Sequence, residues 1–436
     1  MKTSQWEVRG SNGHAVYLLQ PILLGLLASM CLAPRAYGQW QIVKIADFNT
    51  PIPGVQNHTF DYFSAPAISG DSVAFYGRSG DFHGPNQAGV FVAENGSLRI
   101  IADIFTPIPS GSGFDFARLD APSISGNQIS FWGQYPAFPL QEGIYTETGG
   151  GPLQVVADVN TMIPGGTGTF AAGAFSAIQS TDSGNVAIVN SGPGQEGVFA
   201  KINGNLRAIA NLSTNIPGGQ GTFSIPSGSL AFDEVTLSGV NVAFIGRGAG
   251  QEGVYSNIGG SLRAEIDLNT VLPGGGGHAT LLRSPSLQGE DLAFFAFGEA
   301  SVEGIYVKQS GMLRVAADSH TPIPGRQANF SQFDVYPSLD GGNVAFMGSP
   351  SFAQPYEGIF AYYSGALVKV IDTDDTLSGK TIAHFILGPR ALSGHEVAFK
   401  VVFSDFSQGI FVAVAPLNFQ DGFESGDTSA WSGTTN

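Results

Sequence analysis

The sequence predicts an all-β fold: a seven-bladed β-propeller with four-stranded blades, its ring closed by an N-terminal strand that completes the last blade. Three observations predict it. A phrase of hydrophobic residues closing on Ala-Asp or a near variant recurs seven times, ending at Asp47, Asp103, Asp158, Asn211, Asp267, Asp318 and Asp372, with spacings of 56, 55, 53, 56, 51 and 54. Each period holds short alternating runs bounded by Gly or Asn, and no amphipathic helix of useful length follows residue 38. The first and last periods are incomplete in complementary ways. A period of roughly 50 residues with several strands per unit is that of a propeller blade.

The four strands of a blade follow in order. The first is a Pro-Ser-Leu-Ser-Gly type of segment at 66–70, 122–126, 235–239, 285–289, 337–341 and 389–394, with a looser copy at 177–184. The second is an alternating run such as Asn343-Val344-Ala345-Phe346, closed by Phe75, Phe131, Phe244, Phe294, Phe346 or Phe399, and by Ile188 in the third copy. The third opens on Gly89, Gly143, Gly197, Gly253, Gly304, Gly358 or Gly409, followed by Ile or Val and then an aromatic residue. The fourth is the run ending at Asp or Asn. All are short, rich in β-branched and aromatic residues, and alternate in polarity, which suits strands. Residues 39–47 form a fourth-type strand with no partners before it, and residues 389–415 supply three strands with no fourth. Joined, they make one composite blade and remove the open sheet edges of a linear array.

Residues 1–38 read as a secretory signal peptide, with Lys2 and Arg9 at the start, an apolar stretch over 15–33, and Ala36 and Gly38 before a cut at Gln39. Residues 39–416 are the propeller and 417–436 a flexible acidic tail. The single cysteine, Cys31, falls in the leader, so the mature chain has no disulfide or thiol chemistry. Losing Lys2, Arg9, Arg35 and Glu7 with the leader leaves 16 basic and 34 acidic side chains, a net of −18. That charge repels nucleic acid and suits solubility outside the cell. The expectation is a secreted monomer, extracellular, periplasmic or at the cell surface, with no transmembrane segment in the mature chain.

Antiparallel order places the tight turns between first and second and between third and fourth strands on one face (Gly70-Asp71, Asn95-Gly96). The second-to-third loops and the inter-blade loops share the other, which is the face expected to bind. The inter-blade Pro turns (Pro53, Pro109, Pro164, Pro217, Pro273, Pro324) and the aromatics after them (Phe60, Phe114, Phe170, Phe223, Phe330, Phe385) repeat in most blades, which argues for a structural role. The recurrent Glu142, Glu196, Glu252, Glu303 and Glu357 have the same reading. Function is expected where the repeat breaks. Second-to-third loops are long in blades six, seven, one and two, which ring closure makes consecutive. Their crescent carries the candidate ligand-binding residues Phe82, His83, Tyr135, Phe138, Phe352, Tyr356, Phe403 and Phe406, aromatics suited to gripping a glycan or a protein. The alternative is that these rings fold back and pack on one another.

Catalytic signatures are poor: no Gly-x-Ser-x-Gly elbow and no His-Glu-x-x-His pair. Polar residues scattered over the functional face include His58, Asp61, Asp115, Asp233, Glu234, His278, His320, Asp334 and His384. Two of their carboxylates brought together would suit glycosidic acid/base chemistry, but nothing in the sequence pairs them. The seventh inter-blade loop reads Asp372-Thr373-Asp374-Asp375-Thr376 and resembles the first half of a calcium loop, without its closing Glu; Asp372, Asp374 and Asp375 are the candidate ligands of a calcium ion, against an ordinary acidic turn. No other cofactor is expected.

The segment Asn160 to Phe170, with its Asn-Thr-x-Ile-Pro-Gly-Gly-x-Gly-x-Phe pattern, and the Asn-Val-Ala-Phe at 241–244 resemble repeats of uncharacterised secreted bacterial proteins. The tail Gly422-Phe423-Glu424-Ser425-Gly426-Asp427-Thr428-Ser429-Ala430-Trp431-Ser432 is similar to C-terminal extensions of other exported bacterial proteins. The resemblance implies a propeller and names no reaction. The expected function is a secreted binding or interaction module for a glycan or protein. An extracellular carbohydrate-active hydrolase or lyase is one alternative, and a structural surface protein another.

Overall fold

The computed structural model describes residues 39–416, apart from 82–83, 110–112, 136–139, 176–178, 226–229, 351–355 and 364. They form seven antiparallel sheets, each with a core of four strands, and only two short 3-10 turns interrupt the all-β chain. No helix among the described residues is long and apolar enough to cross a membrane.

The second blade shows how the sequence makes a sheet. Arg118–Ser125, Gln128–Tyr135, Gln141–Thr148 and Gln154–Asp158 pair in chain order from the inside outwards. Ile129, Phe131 and Tyr145 are buried against one neighbouring blade and Ile144, on the other face of the sheet, against the next. Phe116 plugs the blade. Its ring meets Tyr145 edge-on at 4.9 Å, and a Cβ on Gly133 would come within 2.5 Å of it, so only glycine fits beneath the ring. The same pairing recurs as Phe60 over Gly77, Phe223 over Gly246 and Phe330 over Gly348. Burying each such ring contributes roughly 1.5–3 kcal/mol. In the second blade the sequence pattern points to Phe114 for this role. The structure gives it to Phe116 and stacks Phe114 on Tyr135 instead, at 4.4 Å and 10°.

The innermost strands start earlier than the Pro-Ser-Leu-Ser-Gly segments indicate. A bulge interrupts them, with register shifts between Asp120 and Ser123, Asp233 and Thr236, and Arg283 and Ser286. Ala121, Glu234 and Ser284 sit there at φ 48°, 48° and 46°, and a bulge of this kind bends its strand. The second-to-third loop of the first blade, expected to be long, is largely a continuation of the hairpin, since Arg78 pairs with Ala88 and Asp81 with Gly84.

Two sets of hydrogen bonds join the blades. At the tight-turn end of the channel the bonds form a complete circle. The backbone N–H of Gly70 donates to Ser393 Oγ, Gly126 to Ser69 Oγ, Ser183 to Ser125 Oγ, and Gly239 to Asp182 Oδ2, at 2.9, 2.8, 3.3 and 2.6 Å. Gly289 to Ser238 Oγ, Gly341 to Gln288 Oε1 and Gly394 to Asp340 Oδ2 complete it. On the opposite face the recurrent glutamates clasp the next blade: Glu196 accepts from Phe232 N–H at 2.8 Å, Glu252 from Leu282 at 3.1 Å and Glu303 from Phe333 at 2.9 Å. Glu142 and Glu357 do the same to Gly173 and Phe385, and Gln408 to Phe63. At the first-to-second junction Ala88 takes the place of the glutamate.

Gln41–Asp47 pairs antiparallel with Gln408–Val414, so strands from both ends of the described chain share one sheet with Glu396–Phe403 and Lys380–Ile386. Deleting 39–47 is expected to expose the edge of Gln408–Val414 and the faces of Phe411 and Val412, giving aggregation or a much lower melting temperature. Unchanged thermal unfolding would show that the ring does not need this strand. Glu303→Ala leaves the Phe333 N–H without its acceptor and is expected to cost about 1–3 kcal/mol in urea unfolding, most of it recovered in Glu303→Gln.

Candidate functional site

Each innermost strand enters from an inter-blade loop and leaves through a tight turn, so the channel on the axis has one mouth on each face. The mouth on the inter-blade-loop face opens into a cavity of ≈ 320 Å³. The starts of the inner strands wall it with Tyr62, Asp120, Gln179 and Tyr336, with Ser64, Ser123 and Ser180, and with Pro66, Pro122, Pro285 and Pro389. Lys400 reaches it from the second strand of the seventh blade, and Arg390 forms part of its floor. Arg390 also lines the smaller cavity of ≈ 170 Å³ at the tight-turn end, beside Asp182 and Asp340. Its Nη2 crosses the channel to donate to the Leu237 carbonyl at 2.6 Å and to Ser180 Oγ at 3.3 Å, on the fourth and third blades.

The chemistry of the mouth is set by burial. Lys400 is 3% exposed; its Nζ donates to the Phe63 carbonyl at 2.6 Å and lies 4.4 Å from the centre of the Tyr62 ring. Burial pushes its ammonium down to about 8. Arg78 also lies over the Tyr62 ring, at 5.1 Å, so two cations engage it. Burial raises the Asp120 carboxyl, offset by the Ala121 N–H that donates to it at 2.7 Å. Burial likewise raises Tyr336, helped by the charges of Glu234, Asp334 and Asp233. Lys400 and Arg390 escaped the sequence reading although both break the repeat. The position after the second-strand Phe is Tyr76, Trp132, Val189, Ile245, Phe295 and Met347 in the other blades, and Lys only in the seventh. Arg390 stands where other blades carry Pro66, Pro122, Pro285 and Pro337.

Of the crescent residues, Phe82, His83, Phe138 and Phe352 lie outside the described residues. Tyr135 is half-buried in its stack with Phe114. Tyr356 is 6% exposed, donates to Asp372 Oδ2 at 3.2 Å, and carries the Arg326 guanidinium over its ring at 3.4 Å. Phe403 is buried edge-on to Phe411 at 6.2 Å, with Lys380 above it. Phe406 stands free at 83% exposure, at φ 65° in its turn.

The three loop carboxylates follow the turn found in every blade. In the third inter-blade loop, Asp158 Oδ1 accepts from Asn160 N–H at 3.0 Å and Thr161 Oγ at 2.7 Å. In the loop after the sixth blade, Asp372 Oδ1 accepts from Asp374 N–H at 3.0 Å, and Asp375 replaces the threonine by accepting from Asp372 N–H at 3.0 Å. Lys369 lies 3.0 Å from Asp372 and 3.1 Å from Asp375, and Arg326 pairs with Asp374. Among the described residues no group of three His, Cys, Asp or Glu side chains is placed to hold a metal ion.

Most of the scattered polar residues have internal partners. Asp61 accepts from Gly80 N–H at 2.8 Å, Asp233 from Glu234 N–H at 3.0 Å, and Glu234 from Ser284 N–H at 2.5 Å. His278 pairs with Glu299 at 3.1 Å and His384 with Glu357 at 2.6 Å, a contact that raises the His384 imidazole.

No curated protein matches the sequence significantly. Solved structures of similar shape include the acylaminoacyl peptidase of Pyrococcus horikoshii, at 11% identity and a TM-score of 0.46, covering 78% of this chain and 49% of that one. The chain therefore spans about half the length of that peptidase. The WD40 domain of Toxoplasma gondii coronin is similar at 10% identity and a TM-score of 0.42, with 88% and 89% covered. The BP39L lectin of Burkholderia pseudomallei is similar at 11% identity and a TM-score of 0.41, with 81% and 96% covered. Residues 33–381 match the family of unknown function DUF7453, and the chain belongs to that family.

Proposed function

We propose that this protein is an exported binding module that takes one end of a glycan into the axial mouth on its inter-blade-loop face. The observation that carries the reading is the ≈ 320 Å³ cavity there, whose wall combines Tyr62, Tyr336 and four prolines with the hydroxyls of Ser64, Ser123 and Ser180. A small number of polar groups set in a largely apolar concave wall is what a small-ligand site presents. Apolar walls meet the C–H faces of a sugar ring, while hydroxyls and Gln179 orient its OH groups. The leader-like residues 1–38 support export. The long loops of the same face, with Phe406 exposed among them, are where a longer ligand would continue.

Binding is preferred to glycoside hydrolysis because that chemistry uses two facing carboxyls. Asp120 alone, among the described residues lining the mouth, carries one.

A glycan array with the mature chain, followed by calorimetry on the hits, tests the reading. Tyr336→Ala is expected to weaken binding several-fold, as loss of a contact worth about 1 kcal/mol or more does. Asn95→Ala, in a tight turn of the opposite face, should leave affinity unchanged. An array without hits, or binding indifferent to Tyr336, would remove the proposal.

A further inference from the structure

The chain carries 35 acidic against 19 basic residues, and most cations near its surface are matched. Arg78, Arg99, Arg247, Lys308, Lys369 and Lys380 each have a carboxylate at ion-pair distance. The two cations deepest on the axis have none among the described residues. Lys400 is compensated by one carbonyl and one aromatic ring, Arg390 by one carbonyl and one hydroxyl. A guanidinium has five N–H donors and an ammonium three, so both retain donors beyond these contacts. Asp182 and Asp340 share the smaller cavity with Arg390 and favour its charge without forming an ion pair with it. Burying a charge without a counter-ion is costly, and an apolar residue would fill either place more cheaply, as the other blades show.

Both exceptions to the repeat thus place a positive charge in one cavity of a strongly acidic protein. We propose that the axial mouth binds an acidic sugar, a uronic acid whose carboxylate is held by Arg390 and Lys400. The inference rests on the glycan reading above and names the class of glycan. The planar fork of Arg390 matches a carboxylate, and Lys400 adds a compact charge beside it. Among the residues that line the mouth, these two cations face the single carboxylate of Asp120. Lys400, held near about 8 by burial, is mostly charged at neutral pH and gains charge as an anion arrives. Tyr336 and the prolines remain for the ring.

Trisaccharides of galacturonate, glucuronate and mannuronate, each compared with its methyl ester, test this by calorimetry on the mature chain at pH 7 and low salt. The ester keeps the backbone and removes only the charge. At least one acid trimer is expected to bind about 10-fold or more tightly than its ester. Lys400→Met and Arg390→Gln should each erase most of that preference and leave ester binding in place, whereas Lys400→Arg should keep it; melting curves check that the variants fold. Esters that bind as well as the acids, or a preference that survives both substitutions, would overturn the acidic-sugar assignment and leave the glycan reading standing. Failure of all six sugars in a protein that binds neutral glycans on the array would do the same. Failure of these sugars together with an empty array would overturn both. A glutamate-rich peptide competing as well as the best acid trimer would overturn the sugar assignment alone.

Discussion

The circle of hydrogen bonds around the tight-turn end of the axis is the constraint on which the rest of this molecule depends. At every junction the first backbone N–H of a turn finds a side-chain oxygen of the preceding blade, from Gly70 on Ser393 round to Gly394 on Asp340. Each bond is worth only about 1 kcal/mol net. Their effect is collective, because displacing one blade breaks bonds on both of its sides. They set how closely seven inner strands approach one another, and hence the width of the channel and the size of both cavities. The glutamate clasps repeat the device on the other face, with carboxylates accepting from the incoming inner strands.

What repeats in this protein is used for holding blades together. The Asp turn bonds its own backbone, the glutamate bonds the next blade, and the Phe plug fills the space above a glycine. Even the loop 372–376 keeps this turn, with Asp375 doing the work of threonine. Aromatics in the long loops obey the same economy where they are described: Tyr356 anchors its loop through Asp372 and Arg326, and Tyr135 through Phe114. Lys400 and Arg390 depart from the repeat, and each bonds to other blades with only part of its donors, Lys400 to Phe63 and Arg390 to Leu237 and Ser180. Both belong to the blade that contains the strand from the N-terminal end, Lys400 on its second strand and Arg390 in the turn before Leu392–Ser393, and both line the axial cavity.

The fold was legible from sequence because its signals are local. A strand alternates over a few residues, a Gly/Asn turn bounds it, and the period of the Asp phrase counts the blades. The role of the glutamates was legible only in kind. Their recurrence marked them as structural, but their partners, such as Phe333 for Glu303, lie in the following blade. The placement of Phe116 rather than Phe114 in the plug was not legible, because both follow the Pro turn and only the space above Gly133 chooses between them.

Sequence by itself determined the all-β class, the number of blades and the face that carries the inter-blade loops, since each follows from neighbouring residues and their period. Tertiary structure alone decided which residues meet on the axis. Arg390 touches Ser180 and Leu237 across the channel, and Lys400 lies over Tyr62; these pairs are 210, 153 and 338 residues apart in the chain. No local pattern encodes such a meeting. It exists only once seven inner strands share a common centre, where Arg390 and Lys400 come to lie without an ion pair among the described residues.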